Sequence, residues 1–345
     1  MPSASSATPS AMSSPAPSAT PSATLASAHP ALVPGPGAPA LVHGRARLER
    51  PRGTDRPIEL AYDVQGEGEP LVLIMGIGAQ RIFWDLRLCA ALVEAGFQVI
   101  RFDHRDLGES SRLDHLPAPR PLRVLGRFLV GLRVGAPYDL SAMAADVVGL
   151  LDHLGHRRAH VAGVSMGGMV AQHLAIEHPA RVASLASVMS TTGARALGLR
   201  ARPSALRALL APPPRTAEEA GRHLADLFTT VGGGALATDR EALELIGRAA
   251  FERGMSPRGF ARHFAAIMAS GDRTKRLAAV RAPTLVFHGA RDPLIHVAAG
   301  RATARAIEDA TLVIEPDMGH HLPHAIWPRL VAAIAANAAR ARTRT

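Results

Sequence analysis

Cysteine, lysine and aromatic side chains are scarce in this chain, and each scarcity removes a class of function. Cys89 is the only cysteine in 345 residues. That excludes an internal disulfide framework and any two-cysteine metal site. Cys89 sits in "WDLRLCAALVEAGF", whose helical spacing predicts a buried structural thiol. Lys275 is the only lysine among 39 basic residues, and the net charge is +10. The arginines are scattered and aromatics make up only 4% of the chain. Nucleic-acid binding needs a concentrated basic stripe with aromatics to stack on, so no nucleic-acid partner is expected. No apolar run reaches the length of a membrane-spanning helix. Residues 1–44 contain no Asp, Glu, Lys or Arg and are dominated by Ala, Ser, Pro and Thr. They hold neither the basic nor the apolar region of a secretory signal, which points to a cytoplasmic location. They read as a disordered tail that lacks the apolar surface to order itself.

Apolar residues supply 47% of the chain, enough for a large core. Order is expected from residue 45. "LVLIMG" (71–76), "FQVIRFD" (97–103), "AHVAGV" (159–164) and "VASLASVMS" (182–190) read as strands, with amphipathic helices between them. Such alternation specifies βαβ units and a mostly parallel, doubly wound sheet. From 193 to about 280 it stops, and helical segments alone follow. Thr216 with Glu219, and Thr238 with Glu241, stand in capping-box spacing. Ser256 reads as an N-cap before Pro257. Strands return at 283–289 and 311–315. The expected layout is therefore a tail (1–44), a first core part (45–192), a helical cap (193–280) and a second core part (281–345).

Chemistry is suggested by "HVAGVSMGGMVAQH" (160–173). Its G-x-S-x-G places Ser165 between a strand and a helix, where a tight turn projects the serine oxygen above the sheet edge. A serine alcohol needs an adjacent base. "EPDMGHHLPH" follows the last strand and offers His320, His321 and His324, with His320 the leading candidate. "HGARDPLI" follows the strand before and offers Asp292 to orient the base. The order Ser165, Asp292, His320 is the α/β-hydrolase order, each residue just past its strand. The backbone N–H groups of Met166 and Ile77, the latter in "MGIGAQ", are the candidate oxyanion hole. Phe264, Ile267 and Met268 share a helical face and are candidate pocket residues, or else core of the helical block. His104 in "DHRD" reads as a structural loop residue, with Asp103 and Arg105 tying that turn together.

These motifs resemble the α/β-hydrolase superfamily over residues 58–340. "MGIGAQRIFWD", "RFDHRDLGES", "VAGVSMGGMVAQ", "PTLVFHGARDPL" and "MGHHLP" are most similar to its aclacinomycin-methylesterase-like bacterial branch. The resemblance implies a serine hydrolase that uses no metal and no cofactor, with Ser165 as nucleophile, Asp292 as acid and His320 as base. Two positions depart from the commoner pattern: Met75 replaces the histidine of the His-Gly opening, and Asp106 stands at a usual glycine. The expected reaction is hydrolysis of a small-molecule carboxylic ester through an acyl-enzyme. The same triad also suits C–C bond hydrolysis, cofactor-free perhydrolysis or acyl transfer; an intact triad disfavours a merely ligand-binding role. Oligomeric state is not legible.

One further segment stands out. "PRPLRVLGRFLVGLRVG" (119–135) alternates Arg120, Arg123, Arg127 and Arg133 with apolar residues at near-helical spacing. Such an element either meets a membrane or lipid surface, or is a solvated insert beside the site entrance. The insert is the favoured reading, with membrane contact kept as the alternative.

Overall fold

The computed structural model describes residues 31–35 and 37–343. In chain order it forms β1 (Leu41–Leu48), β2 (Ile58–Gln65), β3 (Glu69–Ile74), α1 (Leu86–Glu94), β4 (Phe97–Phe102), α2 (Pro121–Leu129), α3 (Leu140–His153), β5 (Ala159–Val164), α4 (Met166–Glu177) and β6 (Val182–Val188). Six helices follow without a strand: α5 (Arg195–Gly198), α6 (Pro203–Leu209), α7 (Ala217–Val231), α8 (Arg240–Glu252), α9 (Pro257–Ser270) and α10 (Thr274–Leu277). The chain closes with β7 (Thr284–Gly289), α11 (Ala298–Ala306), β8 (Thr311–Glu315) and α12 (Trp327–Arg342). Among the described residues no helix is long and apolar enough to cross a membrane.

The eight strands form one sheet in the order β1-β2-β4-β3-β5-β6-β7-β8. β2 pairs antiparallel with β1 and β4, and every other neighbour is parallel. The central strands are buried on both faces, which explains their continuous apolar runs. Successive side chains face opposite sides. Val72, Ile74, Ile100 and Val161 join a core beneath α3 and α4, whereas Leu71, Leu73, Val99 and Ala162 join a core beneath α1 and α12. Cys89 is buried in the second core, and burial pushes its thiol up to about 11.

The expected boundary at residue 45 is too late. β1 begins at Leu41 and pairs with β2 from Leu41↔Gln65 to Leu48↔Ile58. Further upstream Ala31 is buried, and its carbonyl accepts from the Leu86 N–H at 3.1 Å. "LVHGRARL" is mostly exposed edge strand, so it carries little apolar signal. Residues 1–30 of the expected tail lie outside the described residues.

Helix starts follow the capping chemistry with one correction. The Glu219 N–H donates to Thr216 Oγ1 at 3.2 Å, and the Gly259 N–H to Ser256 Oγ at 2.9 Å. At α8 the cap is Asp239, not Thr238: its Oδ1 accepts from the Ala242 N–H at 3.1 Å.

The loop after β4 ties the α5–α10 block to the sheet. Asp103 ties the turn as expected, accepting from the Glu109 N–H at 3.1 Å, whereas Arg105 bonds outside it. Asp103 accepts from the Arg81 side chain and N–H and, at 2.8 Å, from Arg253 of the helical block. Arg105 forms a bidentate pair with Asp146 of α3, at 2.6 and 2.5 Å. Asp106 has φ +73°, left-handed backbone that normally selects glycine and that aspartate tolerates. Its carboxylate accepts from Arg262 of α9 at 2.8 and 2.5 Å, from the Tyr138 hydroxyl at 2.5 Å and from the Leu113 N–H at 2.7 Å. Burial alone would raise this carboxyl, but the bonds from Arg262 and Tyr138 outweigh it and hold it below its usual range. The residue that departs from the commoner pattern is thus an anchor for α9.

Candidate active site

Ser165 is the turn between β5 and α4. Its backbone lies at φ +54°, ψ −118°, a strained conformation for a residue with a Cβ. The surroundings hold it there. Its N–H donates to the Val188 carbonyl at 3.0 Å, and its carbonyl accepts from the Ser190 hydroxyl at 2.8 Å. A Cβ on Gly163 would lie 2.2 Å from the Gly167 oxygen, and one on Gly167 would lie 2.0 Å from the Ile74 oxygen. Both flanking glycines are therefore required by the close crossing of β3, β5 and α4.

The structure brings Ser165, His320 and Asp292 together. Ser165 Oγ is 3.0 Å from His320 Nε2, and His320 Nδ1 is 2.7 Å from Asp292 Oδ2. Asp292 and His320 are buried. Asp292 Oδ1 accepts from the Leu294 and Ile295 N–H groups at 2.9 and 2.7 Å, which fixes Oδ2 toward the imidazole. A carboxylate acceptor at Nδ1 requires the proton there. Nε2 is then left as acceptor for the serine hydroxyl. The histidine loop is pinned from the helical block, the His320 N–H donating to the Val231 carbonyl at 2.7 Å.

The neighbouring histidines do other things. His321 is buried beside His320, and burial pulls it down to about 4. His324 starts the turn into α12 with its ring edge-on to Trp327, 4.1 Å between centroids. His104 Nε2 donates to the Met75 carbonyl at 2.9 Å, directly before the Gly76–Ile77 loop. Burial pulls His104 down to about 4, so it stays neutral and braces that loop. Among the described residues the N–H groups of Met166 and Ile77 have no internal acceptor. Met166 is the first residue of α4, where helix geometry leaves the N–H free.

A cavity of about 580 Å³ opens over Ser165 and His320. Its walls are mainly apolar; core loops supply the floor, and α7, α8 and α9 add Leu224, Phe228, Leu243, Ile246 and Phe260. Phe264, Ile267 and Met268 do not line it. Phe264 and Met268 belong to the core between α9 and α2, and Ile267 packs against the sheet-side core. Phe260, one turn earlier, is the residue of that helix that lines the cavity, and the sequence pointed to none of the lining residues of α7 and α8 either. The spacing of Phe260, four before Phe264, was the available signal, but periodicity cannot say which apolar body a helix face meets.

A model of the alpha/beta hydrolase fold family matches residues 69–324. Among curated proteins the chain is similar to "Putative carbamate hydrolase RutD" of Variovorax paradoxus, 32% identical over 264 residues, covering 76% of this chain and 89% of that protein. It is similar also to rhodomycin D methylesterase DnrP of Streptomyces peucetius, 28% identical over 291 residues, covering 78% of this chain and 90% of that protein. Among solved structures it is similar to the enol-lactonase from Burkholderia xenovorans LB400, with a TM-score of 0.59 and 27% identity over 83% of this chain and 97% of that one.

Proposed function

This chain belongs to the alpha/beta hydrolase fold family, and we propose that it is a serine hydrolase of carboxylic esters that works through an acyl-enzyme. The observation that carries this reading is the hydrogen-bonded line from Ser165 Oγ through His320 to Asp292 at the floor of an apolar cavity. His320 Nε2 takes the hydroxyl proton as Ser165 Oγ attacks the ester carbonyl. The N–H groups of Met166 and Ile77 receive the developing oxyanion. His320 then gives its proton to the leaving alcohol. Water enters, loses a proton to His320 and attacks the acyl carbon, and the acid leaves as Ser165 regains its proton. Asp292 remains ionised throughout, holding the Nδ1–H tautomer and stabilising the imidazolium.

The α5–α10 block acts as the cap of this site. Its leucines, phenylalanines and isoleucine line a cavity sized for a drug-like ligand. That lining favours an ester with a bulky apolar acyl or alcohol part over a small polar carbamate. The relative named as a methylesterase supports an ester substrate, and the relative named as a carbamate hydrolase supplies the competitor. The test is a fluorophosphonate probe followed by a panel of methyl esters, acyl-chain lengths and carbamates. Labelling at Ser165, lost in Ser165→Ala together with p-nitrophenyl butyrate turnover, is the expected result. Turnover that survives Ser165→Ala sinks the reading.

A further inference from the structure

The segment around α2 is not covered as a solvated insert should be. Among the described residues eight large apolar side chains stand out in solvent, and five of them lie here: Leu122, Leu129, Val130, Leu132 and Leu199. Leu122 is 73% exposed and Val130 69%. α2 has three sides. Val124 and Phe128 face inward, in a core shared with Phe264 of α9. Leu122 and Leu129, seven residues apart, share an outward face. Arg123 and Arg127 border that face and are exposed. α5 extends the patch: the Arg195 guanidinium donates to the Leu129 carbonyl, and a Cβ on Gly198 would lie 3.2 Å from the Phe128 ring.

Charge decides what covers this surface. No acidic residue occurs from 115 to 138 or from 193 to 217, the two stretches that build it. Arg120, Arg123, Arg127, Arg133 and Arg195 are exposed. Among the described residues none of the five has a carboxylate within ion-pair distance. An apolar stripe edged by arginines that no carboxylate neutralises, two of them bonded only to carbonyls, is the pattern of an interfacial helix, with aliphatic side chains in the acyl boundary and guanidinium groups on phosphates. The patch carries aliphatic side chains rather than the aromatic anchors typical of protein hot spots.

We propose that α2, the turn after it and α5 form a docking face for an anionic lipid bilayer. The face abuts the candidate site. Ile77 belongs both to the core beneath α2 and to the lining of the cavity. Docking therefore holds one cavity wall against the lipid surface, from which an apolar substrate can enter. Docking needs no catalysis, so its failure and that of the ester-hydrolase reading are separately visible.

The experiment is co-sedimentation of the full chain with vesicles of phosphatidylcholine alone or mixed equally with phosphatidylglycerol. Binding is expected on the mixed vesicles, weak on phosphatidylcholine, and reversed by high salt. The triple variants Leu122→Ser/Leu129→Ser/Leu132→Ser and Arg123→Gln/Arg127→Gln/Arg133→Gln should each lower partitioning by about tenfold or more. Circular dichroism and thermal midpoints establish that both remain folded. Equal binding to the two vesicle types overturns the proposal. So does parent-like binding by both folded variants, or a sedimentation-velocity result showing a dimer that the leucine variant dissolves.

Discussion

The turns after β5, β7 and β8 and the loop after β4 lie at the same edge of one sheet and hold the same kinds of residue. They differ in where each residue's partner comes from. Ser165, Asp292 and His320 stand one per strand end, and the fold's strand order carries them together, with the His320 N–H also held by the Val231 carbonyl. Asp103, Arg105 and Asp106 reach across instead, to Arg253 at the end of α8, Asp146 on α3 and Arg262 on α9. The first region's geometry is a property of the topology. The second region's geometry is a property of individual long-range pairs, and two of those pairs, to Arg253 and Arg262, hold the helical block over the site. Chemistry should therefore be separable from anchoring by mutation.

The largest expected effect breaks the first region without touching the second. Asn at 292 can keep the bonds from the Leu294 and Ile295 N–H groups through its Oδ1. Its amide then faces His320 Nδ1 and imposes the tautomer with the proton on Nε2, which cannot accept from Ser165. Asp292→Asn should lower kcat by about 10⁴-fold. Urea denaturation should show stability within about 1 kcal/mol of the parent. A loss of less than tenfold would argue that His320 does not depend on this carboxylate.

The second region breaks in the opposite way. Asp106→Gly suits the φ of +73° and adds no backbone strain, yet it strips the carboxylate from buried Arg262. Removing one partner of a buried pair costs about 3–5 kcal/mol where the other charge is left uncompensated; Arg262 keeps a longer contact to exposed Asp114 at 3.3 Å, so a cost toward the lower end of that range is expected. Adding Arg262→Met should recover much of that. Urea midpoints measure both. A single-variant cost below about 1 kcal/mol would mean that Asp106 is a tolerated turn residue and no anchor.

This contrast also explains what the sequence could reveal. Ser165, Asp292 and His320 were legible because each lies in the turn that follows an apolar run, and chain order does the rest. The partners of Asp103 and Asp106 were not legible, since nothing near them in sequence specifies Arg253 or Arg262. Phe260 and Phe264 share a helix face, and only tertiary packing assigns one to the cavity and the other to the core. β1 escaped notice because an exposed edge strand with arginines at alternate positions lacks an apolar pattern.

Acid should act on the second region through two buried histidines. His104 and His263 are fully buried, their rings edge-on at 5.7 Å, and each Nε2 donates to a backbone carbonyl. Burial pulls His104 down to about 4, and burial with the neighbouring His104 pulls His263 down to about 3. Both values lie below the unfolded value near 6.5. Between those limits the unfolded chain binds protons that the folded chain refuses. Stability is therefore full above about pH 6.5 and declines as pH falls toward 4. The two groups together should cost about 2–4 kcal/mol at pH 5 relative to pH 7. Urea titrations at the two pH values measure this. In His263→Phe the pH dependence should shrink, and an unchanged slope would assign the effect to other groups.

The smallest effect sharpens the comparison to a single residue. Thr238 and Asp239 both precede α8, and capping-box spacing favours Thr238. The bond to the Ala242 N–H comes from Asp239 instead, whose carboxylate also complements the positive end of the helix. Asp239→Ala should cost about 1 kcal/mol, and Thr238→Ala a few tenths. Because α8 supplies Leu243 and Ile246 to the cavity wall, fraying of its first turn should reach function. Asp239→Ala should raise KM for long-chain esters more than for short ones, with kcat for p-nitrophenyl butyrate little changed. Equal stability losses at the two positions would show that the cap is shared. A KM shift of the same size for every chain length would show that the start of α8 does not shape the acyl pocket.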